Sequence, residues 1–229
     1  MKYRLFDFSS GEGELLVKGG IERVNDHSAA IEQVQSELKE GGWITSETDL
    51  NAVGFKTIMA EGLTGCLELT EQVVESMEKC NYVAPAHNPP YISGIRLFAE
   101  KMPETPLVGL FETAFYQWMP ESSRRYAVPK SWYDAGVRRW GFHGASHKFI
   151  AERSAEILGR EDVASRARNL YVDDAGTQVD GSMFRVVSCH LGGSSSVTGI
   201  LNGAAIGNSM GLSPQSGLPH NNRVGDLDS

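Results

Sequence analysis

Residues Lys2 to Phe8 alternate apolar and polar positions, a period of two that predicts a strand. Ser9-Ser10-Gly11-Glu12-Gly13 supplies turn chemistry, and Glu14 to Val17 can return as the hairpin partner. From Ser28 to Glu40 the period lengthens: Ile31, Val34 and Leu38 share one helical face, and Gly41-Gly42 stops the helix. Ala52 to Ile58 and Pro106 to Phe111 read as short buried strands. Leu69 to Lys79 reads as a helix with Val73, Val74 and Met77 inward, and Ile92 to Glu100 as another. His87-Asn88-Pro89-Pro90 reads as a loop, because proline lacks an amide donor and restricts the residue before it.

The second half has a different texture. Ser146 to Leu158 has helical spacing, with Ser146 as the N-cap and Gly159 as the stop. Phe184 to Ser188 predicts a strand running into Gly192-Gly193, and Ser195 to Leu201 a second. Asn202-Gly203 is the strongest hairpin signal in the chain, and Ala204 to Ile206 can form its return strand. Strands and helices mix in both halves, which predicts an α/β architecture with a break near residues 120–140.

The 229 residues suffice for one large domain or two modest ones. A net charge of −8 argues against a nucleic-acid or anionic-membrane surface, though a pocket on an acidic protein can still be locally positive. No apolar run is long enough to span a bilayer, and Met1 to Phe8 makes a poor signal peptide. Cys66, Cys80 and Cys189 are odd in number, and their spacing suits neither a disulfide framework nor a zinc site. They read as buried or inert thiols in a reducing cytoplasm. Cys189 beside His190 is read in the same way, as a small residue ending a buried strand.

Three segments carry candidate chemistry. Gly192-Gly193-Ser194-Ser195-Ser196 can wrap phosphate oxygens with backbone amides and hydroxyls, or can simply be a turn. No Gly-Lys-Ser/Thr follows it, and no Gly-x-Ser-x-Gly is present, so neither a Walker loop nor a nucleophile elbow is indicated. His143 and His147 are four residues apart, but Gly144 stands where a metalloprotease would need Glu. His147 reads as a structural hydrogen-bonding group. His143, between Phe142 and Gly144 and after Arg138-Arg139, reads as a site residue. Arg223 lies in a polar segment with Asp226 and Asp228, and suits either a solvated loop or a guanidinium that binds an anionic substrate.

In order, these segments resemble the acetate kinase family, within the sugar kinase–chaperone–actin superfamily. The resemblance rests on Pro85-Ala86-His87-Asn88-Pro89-Pro90, Arg138 to His147, His190 to Ser196, and Ser209-Met210-Gly211 through Pro214 to Asp228. Phe111-Glu112-Thr113-Ala114-Phe115 with Met119-Pro120 also fits, as does Tyr3-Arg4-Leu5-Phe6-Asp7. The resemblance implies an actin-like ATPase (ribonuclease H-like) duplicated-domain fold, incomplete here. Residues 1–125 would be an N-terminal domain lacking its first strand, and residues 126–229 the start of an ATP-binding domain.

It implies transfer of the ATP γ-phosphoryl group to acetate or a similar short carboxylate, with ATP and Mg²⁺ required. His143 would stabilise the moving group, Arg223 would hold carboxylate and phosphoryl oxygens, and His87 would lie nearby. Glu112 stands where the family keeps a catalytic Asp, and Lys56 where it keeps a substrate-binding Arg. Ile58, Ala86, Phe142 and Pro214 fall at the acyl pocket. His190, Gly192, Gly193 and Ser194 fall at the ATP phosphate loop. Ala86 in place of a usual Leu implies room for propionate or butyrate. A homodimer is the expected assembly at full length, with no nucleic-acid or membrane partner. Lys56, Glu112 and the ends of the chain favour a second reading, a kinase-fold remnant that binds small anions without turnover. A Ser/His hydrolase is a third, without a nucleophile motif to support it.

Overall fold

The computed structural model describes residues 1–11, 13–24, 26–85, 87–172 and 179–227, and these group into two compact units. The first comprises residues 1–53 and 92–107. Here β1 (Lys2–Asp7) pairs antiparallel with β2 (Glu14–Gly20), with a register shift between Leu5 and Phe6. α1 (His27–Glu40) begins where the Asp26 carboxylate accepts from the amides of Ser28 and Ala29, two of the donors that a helix start leaves unpaired. Val34 and Leu38 on its buried face pack with Ile44 and with Tyr3, Leu5 and Val17 of the hairpin.

The second unit comprises residues 54–91 and 108–229. Apart from single residues at two strand starts, it holds a sheet ordered β3 (Val53–Thr57), β5 (Leu107–Phe111), β4 (Cys66–Glu68). β4 has only three residues, too few for the hydrophobic pattern to predict. The other sheet is an antiparallel meander of β6 (Arg185–Leu191), β7 (Ser195–Leu201) and β8 (Ala204–Asn208), with β7 central. Its second turn forms as the sequence predicts. Asn202 and Gly203 take φ of 50° and 82°, the left-handed pair that a tight hairpin requires. The Asn202 side-chain oxygen also accepts from the Phe184 amide at 2.8 Å.

α2 (Glu71–Glu78), α6 (Gly144–Ile157) and α7 (Glu161–Asn169) belong to this unit, with the one-turn helices α4 (Glu121–Arg124) and α5 (Lys130–Asp134). One buried cluster joins Phe115, Tyr116 and Met119 to Ala151 of α6, Ala167 of α7 and Ile200 of β7. The sequence break at 125/126 falls inside this unit.

Several expectations need correction. His87-Asn88-Pro89-Pro90 is not all loop, because α3 (Asn88–Lys101) starts at Asn88. The buried Asn88 amide donates to the carbonyls of Met59 and Met77, at 3.1 and 2.9 Å. Both prolines then sit in the first turn, where a missing amide breaks no helical bond. α6 starts two residues before Ser146, with His143 at the N-cap position. β6 runs three residues beyond Ser188. Cys189 is exposed, as is Cys66, whereas Cys80 is buried and its thiol is pushed up to about 11, first by burial and then by the Glu61 carboxylate.

Candidate functional site

One face of the β6–β7 pair is polar where a core face is normally apolar. Ser188 lies opposite Thr198 and His190 opposite Ser196, and Ser188, Ser196 and Thr198 are all buried. Buried polar side chains persist only when they have partners, and here α6 supplies them. His143 and His147 stand one helical turn apart at its start. His143 Nδ1 lies 2.8 Å from Ser196 Oγ, and His147 Nε2 lies 2.8 Å from the same oxygen. His147 Nδ1 reaches Ser188 Oγ at 2.8 Å, and His190 Nδ1 reaches Ser146 Oγ at 2.9 Å. The His143 and His190 rings stack at 4.0 Å and 20°.

The backbone at His143 is unusual. Its φ of 60° and ψ of 33° are left-handed, a conformation that costs a non-glycine residue roughly 1–3 kcal/mol. The neighbouring bonds hold it there: the Gly144 amide donates to the Glu112 carbonyl at 2.9 Å and the His147 amide to the His143 carbonyl at 3.0 Å. Behind it, the Tyr116 hydroxyl donates to the Phe142 carbonyl at 2.6 Å and lies 3.1 Å from Thr198 Oγ1. Asn208 Nδ2 donates to the Tyr116 hydroxyl at 2.8 Å and to Thr198 Oγ1 at 2.7 Å.

These surroundings set the electrostatics. Burial, then the neighbouring imidazole of His190, the Lys56 ammonium, and the rings of His147 and His220 pull His143 down to about 3. Burial and His190 pull His147 down to about 4. Both rings are therefore neutral at ordinary pH. His87, half-buried just before α3, is also lowered, by burial first and then by Arg223 and Lys56.

Arg223 is joined to the same strand turn. Its Nη1 donates to Ser194 Oγ at 2.9 Å and to the Pro214 carbonyl at 3.2 Å. His220, paired with Arg223 through two backbone bonds, accepts the Ser195 amide on Nδ1 at 2.8 Å. His143 and Arg223 are thus anchored two positions apart, on Ser196 of β7 and on Ser194 of the turn before it. Gly192 and Gly193 at its tip are exposed, and Ser194 is half-buried. On β3, Lys56 Nζ lies 2.8 Å from Glu112 Oε1. The Lys56 side chain is 59% exposed and Glu112 only 5%. Burial alone lowers Lys56, but the Glu112 charge and hydrogen bond, with a smaller contribution from Tyr91, raise it on balance. Glu112 Oε2 is buried without a hydrogen-bond partner.

Of the predicted acyl-pocket residues, Ile58 and Phe142 share one buried cluster with Met59, Cys80, Ala84 and Met210. Pro214 is not among the residues of that cluster, and its carbonyl serves Arg223. Ala86 lies outside the described residues. Arg138 and Arg139 stack on aromatic rings, 3.7 Å over Trp140 and 4.7 Å over Tyr126. The sequence reading missed Ser188, Tyr116, Asn208 and His220, and placed Ser196 in a phosphate-wrapping segment rather than against the two histidine rings. The signal for the serines was available: Ser188 and His190, and Ser196 and Thr198, repeat at a period of two on strands otherwise apolar inward. Among the described residues, no group of three or more His, Cys, Asp or Glu side chains is arranged to hold a metal ion. None of their helices is long and apolar enough to cross a membrane.

Comparison with known proteins gives a consistent picture. The acetate kinase of Oceanobacillus iheyensis is 35% identical over 210 residues, covering 91% of this chain and 48% of that protein. The acetate kinase of Helicobacter hepaticus is 37% identical over 211 residues, covering 90% and 48%. Among solved structures, the Porphyromonas gingivalis acetate kinase superposes with a TM-score of 0.69 at 32% identity, covering 96% of this chain and 50% of that one. A propionate kinase from Francisella tularensis superposes with a TM-score of 0.72 at 29% identity, covering 93% and 49%. The chain spans about half the length of the curated relatives it matches. The sequence profile of the acetokinase family matches residues 12–229, and the chain belongs to that family.

Proposed function

We propose that the His143–Arg223 cluster is one wall of a phosphoryl-transfer site, and that the chain acts in the cytoplasm as an acyl kinase. The γ-phosphoryl group of ATP would pass to acetate or a similar short carboxylate, giving acyl phosphate and ADP. The observation that carries this reading is the convergence of a neutral imidazole and a guanidinium on the Gly/Ser turn and the first residues of β7. Phosphoryl transfer asks a protein chiefly to position reactants and offset charge. Arg223 has Nε and Nη2 without a described protein partner, and these suit planar oxygen pairs of a carboxylate or phosphoryl group. His143 would donate to an oxygen of the moving group, with His87 nearby. His190, Gly192, Gly193 and Ser194 would line the ATP phosphates, and Ile58, Ala86, Phe142 and Pro214 the acyl chain.

The chemistry of these donors fits an anionic nucleotide. Bound Mg²⁺ would offset phosphate charge, a role that needs one or two protein carboxylates. Glu112, with its orphaned Oε2, is the carboxylate at this cluster that could meet that need. The Lys56–Glu112 contact favours a second reading, anion binding without turnover. The two departures from the family pattern satisfy one another, so the Lys56 charge is already engaged.

Hydroxylamine trapping of acyl phosphate from ATP, Mg²⁺ and acetate distinguishes the two. Hydroxamate should form, and Arg223→Ala should reduce it at least about a hundredfold, the cost of losing a charged group from a transition-state contact. No product with wild-type protein, together with phosphate binding by calorimetry, would establish the second reading. Propionate and butyrate in the same assay test the acyl pocket, and turnover of acetate equal to or better than theirs would remove the argument from Ala86.

A further inference from the structure

The proton count along the buried histidine–serine chain has only one arrangement without a wasted donor. Four groups lie in line: Ser188 Oγ, the two nitrogens of His147, Ser196 Oγ, and His143 Nδ1, each contact being 2.8 Å. Both rings are neutral, so each carries one N–H and one bare nitrogen. The bonds can run in two senses. In the first, the Ser188 hydroxyl donates to His147 Nδ1, His147 Nε2–H donates to Ser196 Oγ, and the Ser196 hydroxyl donates to His143 Nδ1. Every buried proton then has an acceptor, and the remaining N–H, on His143 Nε2, lies at the open end of the chain.

In the second sense every bond reverses. His143 Nδ1–H donates to Ser196, Ser196 to His147 Nε2, and His147 Nδ1–H to Ser188. The Ser188 hydroxyl proton would then have no described acceptor, in a residue that is only 2% exposed. A buried donor left unpaired costs its full desolvation, whereas an oxygen with a spare lone pair costs far less. The two senses are therefore unequal, and the buried end of the chain chooses between them.

We propose that Ser188, His147 and Ser196 are positioning residues that fix His143 as its Nε2–H tautomer, with that N–H left free to donate to an anionic oxygen. The inference rests on the phosphoryl-transfer reading only for what His143 Nε2–H meets. The tautomer itself is a property of the protein without substrate. It also gives the buried His147 a role: it relays the orientation of the Ser188 hydroxyl across the interior to Ser196.

Long-range ¹H–¹⁵N correlation spectra of histidine-labelled protein at pH 7.5 test this directly. His143 and His147 should both show a protonated Nε2 and a bare, hydrogen-bonded Nδ1. Ser196→Ala should move the His143 Nδ1 resonance to the position of an unbonded ring nitrogen, and Ser196→Thr should restore it. Should Ser196→Ala fail to fold, Ser188→Ala makes the same test at His147 Nδ1. A protonated Nδ1 on either ring of the wild type overturns the proposal, as does an unmoved Nδ1 resonance in the folded alanine variant. In the hydroxamate assay, Ser188→Ala should lower kcat about tenfold with KM for both substrates unchanged. A normal kcat would leave the tautomer without a catalytic consequence and overturn the positioning role. Absence of turnover in the wild type with the expected resonances present would refute the kinase reading alone.

Discussion

The buried imidazole of His147 ties stability to pH. Its folded value near 4 lies below that of an exposed histidine, near 6.5, so the unfolded chain binds more protons between those values. Its contribution is complete above pH 6.5 and is lost as pH falls toward 4. Between pH 7 and pH 5 this one residue should remove roughly 2 kcal/mol of stability, from about 1.4 kcal/mol per pKa unit. Urea denaturation at the two pH values measures the loss. His147→Gln should flatten the pH slope while lowering stability at pH 7, since it breaks the contacts to Ser188 and Ser196. A slope unchanged by that substitution would mean that other groups carry the pH dependence. His143 is lowered in the same direction, so the two residues act together across this range.

At the scale of elements, the start of α6 is the critical junction. Gly144 lies so close to the Glu112 carbonyl that a Cβ would collide with it, and that neighbour is backbone rather than a flexible side chain. Gly144→Ala should therefore displace the start of α6, costing about 1–3 kcal/mol as overpacking does, and carry His143 with it. A thermal melt gives the stability loss, and the ¹⁵N resonances of His143 give the displacement. This junction was only partly legible in the sequence. Ser146 has the chemistry of an N-cap and His143 does not, so local propensity pointed to a cap three residues downstream. The preference was overridden by the tertiary bond from the Gly144 amide to the Glu112 carbonyl, which no local pattern encodes. The Asn202-Gly203 turn was fully legible because its geometry depends on those two residues alone. β4 and α7 were missed for different reasons: β4 is one short edge of a sheet, and α7 is strongly polar, with its apolar residues reduced to Val163, Ala164, Ala167.

At the scale of the whole molecule, the two units have separate apolar cores, one around Leu38 and one around Phe115 and Ile200. Leu38→Ala should cost about 2–5 kcal/mol, as truncation of a buried leucine does. In the folded fraction it should leave the His143 and His147 resonances in place, because every side chain of the cluster lies in residues 54–91 and 108–229. Shifted resonances would show that the cores are not separable. The linear chain hides this division. It passes from one unit to the other at 53/54, 91/92 and 107/108, inside or beside β3, α3 and β5, where no Gly/Pro/Ser-rich linker marks a boundary. The motif order, by contrast, was readable from end to end, since His143, the Gly192 turn and Arg223 each sit in a locally distinctive segment.

The Tyr116 hydroxyl bears on how such a sequence can diverge. It is shared among the Phe142 carbonyl, Thr198 and Asn208, the last two being cross-strand partners on β7 and β8. Drift at Tyr116, Thr198 or Asn208, which meet through side chains, leaves the others with an unmet bond beneath the strained histidine. A lineage that alters position 116, 198 or 208 should therefore carry a compensating exchange at another of the three.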